Sequence, residues 1–157
     1  MIMLSRHLLY SCLLILLPTA ACAQFPPATT PYGPATIHGC YDGDTCTISI
    51  PSLPSLFGDR LPIRLAGIDT PEIKGACARE KALAMRARTY VRERLLDAQH
   101  IEITPVARDK YFRVLSIITV DGHDLADDLQ AAGLARPYGG GTKSPWCTAV
   151  LTPIQPD

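Results

Sequence analysis

The sequence predicts an α+β domain, mainly β, in which five short strands form a small Greek-key barrel with helices packed on it. Three observations lead to this prediction. Short apolar runs, several of them alternating with polar residues, recur along the chain and are typical of strands. A long amphipathic helical pattern follows the third run. A shorter helical pattern follows the fifth.

The elements before the long helix begin with a hairpin over residues 36–50. Its turn is predicted at Asp42-Gly43, because Asp-Gly between alternating runs favours a tight turn in which Gly accepts a positive φ. A Pro-rich loop, "PSLPSLFG", follows. The stretch "DRLPIRLAGI" predicts the third strand, and "DTPEIKGAC" predicts a loop.

The second half begins with a helix over about residues 78–98, whose apolar face is Leu83, Ala87, Tyr90, Val91 and Leu95. Two strands, "HIEITPV" and "VLSIITV", flank the polar connection "RDKYFR". Asp121-Gly122 predicts another tight turn, and "DLADDLQAAG" a short helix that ends at Gly133. This order of elements is typical of a five-stranded barrel of the oligonucleotide-binding (OB) type.

The domain organisation starts with an expected signal peptide over residues 1–23, with a short polar start, an apolar run and small residues for cleavage. Cleavage before Gln24 would give a periplasmic or secreted protein. A lipoprotein anchor at Cys22 is less favoured, because Thr19 stands where that motif usually has Leu, and a buried N-terminal helix is less favoured still. Residues 24–35 predict a Pro-rich linker, 36–147 the folded domain and 148–157 a tail.

The composition limits the classes of function. The 15 basic and 15 acidic residues balance, so no excess of positive charge predicts a nucleic-acid partner. Outside the signal region four cysteines remain, and an even number in an exported chain suggests disulfides. The sequence argues against zinc, because no cysteine pair has C-x-x-C spacing.

Three aspartates form a candidate metal site. Asp42 and Asp44 flank the first turn, and Asp69 follows the third strand, so a barrel could bring them to one rim. Converging carboxylates repel one another and raise one another's pKa unless a cation lies between them. Oxygen ligands of this kind suit Ca²⁺. The simpler alternative is that each aspartate belongs only to a turn.

Three further residues suit attack on a phosphodiester. Arg64 lies inside an apolar strand, and Glu72 and Arg113 lie near the ends of other strands. A carboxylate can activate water, and arginine's planar fork matches two phosphate oxygens. The alternatives are an edge-strand arginine in solvent for Arg64, a helix start or turn for "DTPE" and a solvent-facing strand end for Arg113.

Four motifs in order, "YDGDT", "RLAGIDTPE", "DKYFRVL" and "GLARPY", resemble those of the staphylococcal nuclease (thermonuclease) family over about residues 36–147. The resemblance implies an OB barrel and Ca²⁺-dependent hydrolysis of DNA or RNA that leaves 3′-phosphates. It also implies a monomer without a stable protein partner and a preference for single strands.

The resemblance also implies roles for individual residues. Arg64, Glu72 and Arg113 match the catalytic positions. Asp44 and Asp69 match side-chain calcium ligands, Thr70 matches a backbone-carbonyl ligand, and Asp42 matches a carboxylate that lies near the ion without binding it directly. Lys110, Tyr111 and Tyr138 match substrate-binding positions, the last of these in a loosely similar stretch.

This chain departs from the family pattern at several places. Phe112 stands where Gly is common, the basic excess is missing, and four cysteines remain in the domain. Cys40 and Cys46 are symmetric about Gly43, Cys77 follows the catalytic loop, and Cys147 follows the last helix. We therefore expect disulfides between Cys40 and Cys46 and between Cys77 and Cys147.

Two other functional classes compete with the nuclease. One is a non-catalytic OB module that binds nucleic acid or another ligand, although such modules rely on aromatic platforms and this chain is only 6% aromatic. The other is a disulfide-stapled structural domain in which the acidic cluster has no catalytic role.

Overall fold

The computed structural model describes residues 33–147, so the predicted signal peptide, most of the linker and the tail lie outside the described residues. Among the described residues, no helix combines the length and apolar character that crossing a membrane requires. The elements in chain order are β1 (Thr36–Cys40), β2 (Thr45–Ser49), α1 (Ser55–Gly58), β3 (Leu61–Leu65), β4 (Ile68–Asp69), α2 (Ala78–Asp97), β5 (Ile101–Arg108), β6 (Val114–Val120), β7 (His123–Asp124), α3 (Leu125–Ala131) and β8 (Arg136–Pro137).

The main sheet has the strand order β1-β2-β3-β6-β5, with β7 added to β6. All its ladders are antiparallel except β3–β6, which is parallel. This order and the crossover through α2 confirm the predicted OB topology. The sheet curls into a half-barrel, and no ladder joins β1 to β5 among residues 33–147.

The first hairpin is confirmed, but the reason for its glycine was wrong. β1 and β2 pair with Cys40 opposite Cys46. Gly43 does not have a positive φ. A Cβ at this position would lie 2.6 Å from Cβ of Ala87 and 3.0 Å from Cγ2 of Thr70. Glycine is therefore required because α2 and the chain after β4 pack directly against the turn.

The third strand is shorter than predicted. β3 ends at Leu65, the chain turns through Gly67 with a φ of +76°, and it resumes as β4, which pairs with β8. Neither β4 nor β8 was expected as a separate strand, since each has only two residues. The predicted Pro-rich loop also contains the short helix α1, and β7 precedes α3.

The core lies between the curled sheet and the two longer helices. Ile48, Ile63, Ile103 and Ile118 from the strands are almost completely inaccessible to solvent. Ala87, Val91 and Leu95 of α2 face this core, which confirms the predicted period of the helix, while Leu83 and Tyr90 are partly buried beside it. Asp124 caps the N-terminus of α3, because its side chain accepts a hydrogen bond from the Ala126 amide, and the chain after the helix passes through Gly133 with a positive φ.

Candidate active site

A cleft of about 1040 Å³ opens on one rim of the half-barrel, and it collects residues from five separate segments of the chain. It includes all three predicted catalytic side chains and all three predicted substrate-binding residues. The lining of the cleft includes Tyr41, Asp42, Arg64, Glu72, Asp109, Lys110, Tyr111, Arg113, Tyr138 and Lys143.

Asp44 is buried in the turn between β1 and β2, and it contacts Arg64, a lining residue of the cleft, without lining the cleft itself. Its Oδ1 accepts hydrogen bonds from the Arg64 guanidinium and from Oγ1 of Thr45, and its Oδ2 accepts one of 3.3 Å from the Thr70 amide. The carbonyl oxygen of Asp44 also accepts from the Leu65 amide at 2.8 Å. The carboxylate is therefore fixed between β3 and the segment after β4.

Asp42 lies beside this carboxylate and is also buried. Its Oδ1 accepts a hydrogen bond of 3.1 Å from the Asp44 amide. Burial, followed by repulsion from the Asp44 carboxylate, raises the pKa of Asp42 to about 6. The repulsion expected from the sequence is therefore present at this aspartate.

Asp69, at the end of β4, is held by residues near the C-terminus of the domain. Its Oδ2 accepts a hydrogen bond of 3.1 Å from the indole of Trp146. Nζ of Lys143 lies 2.6 Å from Oδ1 as an ion pair, although the two groups are not aligned as a hydrogen bond. The next residue, Thr70, is also buried, and its Oγ1 has no hydrogen-bond partner among the described residues.

Arg64 is only 7% exposed, so the alternative of a solvent-facing edge residue was wrong. It lies on β3, between β2 and β6 in the middle of the sheet. One guanidinium nitrogen donates to Asp44, and the other donates to the carbonyl of Ile68 at 3.2 Å. These contacts neutralise a buried charge and hold the guanidinium at the wall of the cleft.

Glu72 lies on the loop between β4 and α2 and is partly exposed. Its Oε1 is 2.5 Å from Nζ of Lys143, so this lysine contacts two carboxylates at once. The backbone of the loop is held by Glu80, a buried residue in the first turn of α2. Glu80 accepts hydrogen bonds from the amides of Glu72 and Ala76 at 3.4 and 2.8 Å.

Arg113 is the last residue of the loop that joins β5 to β6. Its Nε donates to Oδ2 of Asp109 at 2.7 Å, and its Nη1 donates to Oγ1 of Thr45 at 3.1 Å. Although burial opposes the effect, hydrogen bonds from the side chain of Arg113 and from the amides of Tyr111 and Arg113 lower the pKa of Asp109. Because Thr45 also donates to Asp44, it lies between the two arginine–aspartate pairs.

The remaining residues of this loop project into solvent. Nζ of Lys110 is 5.1 Å from the centre of the Tyr111 ring, and the guanidinium of Arg113 is 5.5 Å from it. Tyr111 is 67% exposed, and Phe112 is 79% exposed with a φ of +62°. This left-handed conformation gives a physical reason for the glycine that is common in the family at this position.

Tyr138 lies on the other side of the cleft, directly after β8. Its amide donates to the carbonyl of Gly67 at 2.8 Å, and its hydroxyl donates to the carbonyl of Gly141 at 2.9 Å. The ring thus lines the cleft while its hydroxyl is bonded to the glycine-rich segment that follows.

The residues proposed as calcium ligands fit a hard cation in their chemistry. Asp44 and Asp69 supply carboxylate oxygens, and the hydrogen bond from the Thr70 amide to Asp44 places their segments side by side. Asp69 Oδ1 has no aligned donor, and Thr70 Oγ1 is another buried oxygen without a partner. Arg64 and Lys143 supply positive charge next to these carboxylates.

The only compact group of three metal-type ligands within the described residues lies elsewhere, at Cys77, Glu80 and Cys147. Its two sulfurs belong to one disulfide, so they are not thiolates available to a metal. The structure joins Cys40 to Cys46 and Cys77 to Cys147, the pairs that the sequence analysis expects. The second bond ties the segment carrying Lys143 and Trp146 to the start of α2.

Four residues that organise this site were not predicted from the sequence: Asp109, Glu80, Lys143 and Trp146. Asp109 could have been found from the sequence, because aspartate side chains in turns commonly accept hydrogen bonds from backbone amides a few residues later. Here Asp109 accepts from the amides two and four residues after it. Glu80, Lys143 and Trp146 act through contacts across long chain separations, for which the sequence has no local signal.

The fold and the cleft define an OB-fold domain with an acidic pocket flanked by arginines. A family model described as "Staphylococcal nuclease homologue" matches residues 62–145, more than half of the chain. The protein therefore belongs to the staphylococcal nuclease homologue family, as the motifs indicated, and this membership supports a nuclease or nucleic-acid-binding role. No curated protein matches the chain significantly.

Proposed function

We propose that the protein is an exported, calcium-dependent nuclease that hydrolyses phosphodiester bonds in DNA or RNA. One observation carries this proposal: Arg64, Glu72 and Arg113 come from three separate segments and line one cleft. Beside them lie two carboxylates suited to a hard cation. An acid–base group next to two guanidinium groups suits phosphodiester hydrolysis, because it can activate water while the guanidinium groups stabilise the charge on the phosphate oxygens.

The substrate phosphate would lie between the two arginines. Arg113 uses Nε and Nη1 for Asp109 and Thr45, so its charge is oriented before substrate arrives. Arg64 is oriented in the same way by Asp44 and the Ile68 carbonyl. Lys110 and Tyr111 would contact a terminal phosphate and its nucleoside, and Tyr138 would stack against a base.

Glu72 would accept a proton from the attacking water. The water oxygen would bond to phosphorus as the P–O5′ bond breaks. Glu72 would then release its proton to solvent, and the leaving oxygen would take one up from solvent, which gives a 3′-phosphate and a 5′-hydroxyl. Ca²⁺ held by Asp44, Asp69 and the Thr70 carbonyl would neutralise phosphate charge, with Asp42 outside the ligand set. Glu80 holds the backbone of the loop that carries Glu72.

The proposal is tested by digestion of single-stranded DNA and RNA with purified protein, in Ca²⁺ and in chelator. Glu72→Gln removes the base, and we expect it to lower the single-turnover rate by roughly 10²–10⁴-fold. Glu93→Gln, the same change on an exposed residue of α2 outside the cleft, is the matched control and should cleave normally. Binding without cleavage across metals and pH would instead favour the non-catalytic OB module.

Export is a separate part of the proposal. The two disulfides in the described domain support it, because such bonds persist in oxidising compartments. We expect the mature chain to begin at Gln24 in the periplasm or outside the cell. Intact mass spectrometry of the exported protein would show this start, whereas an acylated N-terminus at Cys22 would identify a lipid-anchored form.

A further inference from the structure

Lys143 reaches the cleft from a segment that is anchored on both sides. We call residues 139–147 the C-terminal strap. It begins with three glycines, of which Gly140 and Gly141 have positive φ values, and it ends at the disulfide with Cys77. Between these points the indole of Trp146 lies under the Arg136 guanidinium at 3.8 Å and donates to Asp69.

The ammonium group of Lys143 bridges two carboxylates with different proposed roles. It lies 2.6 Å from Oδ1 of Asp69, a proposed metal ligand, and 2.5 Å from Oε1 of Glu72, the proposed base. Both distances are those of direct ion pairs. The lysine therefore links the metal site to the base.

A metal ion at Asp69 cannot share that oxygen with the ammonium, because two cations at contact distance repel strongly. The ion pair of Lys143 and Asp69 is suited to exchange of the ammonium for a metal ion, for three reasons. The lysine side chain remains 38% exposed, its contact with Asp69 is not an aligned hydrogen bond, and Trp146 uses the other oxygen of the carboxylate. Ion binding can thus displace Lys143 while the Trp146 contact stays in place.

We propose that Lys143 is a resident counter-cation that competes with the metal for Asp69 and thereby sets the metal affinity of the site. This inference rests on the proposed function, since it assumes that Asp69 is a metal ligand. Lys143 also forms an ion pair with Glu72, so the same ammonium contacts the proposed base.

The test is Ca²⁺ affinity, measured by calorimetry on the disulfide-bonded protein without nucleic acid. Lys143→Met removes the competing charge, and we expect Ca²⁺ to bind about tenfold more tightly. Lys143→Gln, which keeps a donor but no charge, should also bind more tightly and serves if the Met variant does not fold. Lys143→Arg keeps the charge and should remain within about threefold of wild type.

The matched control is Lys110→Met, which removes the same charge from the same cleft without a contact to Asp69 or Glu72. Its Ca²⁺ affinity should stay close to that of wild type. If it tightens binding as much as Lys143→Met does, general electrostatics explain the effect and the proposal is overturned. Weaker Ca²⁺ binding in Lys143→Met also overturns it, because Lys143 would then organise the site.

Trp146 provides a second readout, since it is the only tryptophan in the chain and its indole is bonded to Asp69. Titration with Ca²⁺ should change its emission, with a midpoint at lower Ca²⁺ in Lys143→Met than in wild type. Equal midpoints would overturn the inference about Lys143 and leave the nuclease intact. No Ca²⁺ binding in any of these proteins would overturn both this inference and the proposed calcium dependence.

Discussion

The two arginine–aspartate pairs of the cleft have the same chemistry in opposite environments. Arg64 and Asp44 are both buried, one on a central strand and the other in a turn packed against α2. Arg113 and Asp109 belong to one exposed loop and are four residues apart. The comparison shows that the Arg64 guanidinium pairs with a carboxylate distant in the chain, whereas a local turn and one distant contact, to Thr45, position that of Arg113.

The largest difference is expected in stability. Arg64→Met leaves the buried Asp44 carboxylate without its partner and should lower the free energy of unfolding by about 3–5 kcal/mol. Arg113→Met breaks a pair nearer the surface and should lower it by about 1 kcal/mol or less. Urea denaturation in chelator measures both, and equal losses would show that the two environments do not differ energetically.

The next effect is a loss of activity in a variant whose stability hardly changes. Arg113→Lys keeps the charge but loses the fork, so the single-turnover rate should fall by roughly 10²–10³-fold. The free energy of unfolding should change little. Lys110→Arg is a control within the same loop that alters a proposed terminal-phosphate contact without touching the pair, and it should reduce the rate much less. A normal rate in Arg113→Lys would remove this arginine from the proposed mechanism.

A smaller effect is expected from the strain at Phe112. The residue has a φ of +62° and is 79% exposed, so its side chain compensates little for its conformation. Phe112→Gly should raise the free energy of unfolding by about 1 kcal/mol, because glycine adopts this conformation without steric penalty. Thermal denaturation tests this. A lower melting temperature would mean that the phenyl ring stabilises the loop more than its backbone is strained.

The smallest effect concerns pH and the partly buried pair of Arg113 and Asp109. The pKa of Asp109 is lower in the folded protein than its ordinary value of 3.8, so the pair contributes stability above that value. This contribution is lost as the pH falls through the lowered pKa of the folded state. Asp109→Asn should therefore be less stable than wild type at neutral pH by a few tenths of a kcal/mol, and the difference should vanish in strong acid. A difference independent of pH would mean that the turn hydrogen bonds, rather than the charge, stabilise the loop.

Much of the fold could be predicted because its signals are local. The alternation of Cys46 and Ile48 predicted β2, and the spacing of Ala87, Val91 and Leu95 predicted the buried face of α2. Two-residue strands such as β4 and β8 have no such period, and only their pairing with each other defines them. Local pattern therefore predicted the long elements and missed the short ones.

The sequence by itself determined the main elements, the cysteine pairs that the structure joins and the residue types that line the cleft. Only the tertiary structure decided that Arg64 is buried against Asp44, that Gly43 serves close packing with α2, and that Lys143 bridges Asp69 and Glu72. The reason is physical. The spacing of hydrophobic residues determines local structure over a few positions of the chain. Which charged residues from distant positions come into contact depends instead on the register and curl of the sheet and on a disulfide between cysteines 70 residues apart.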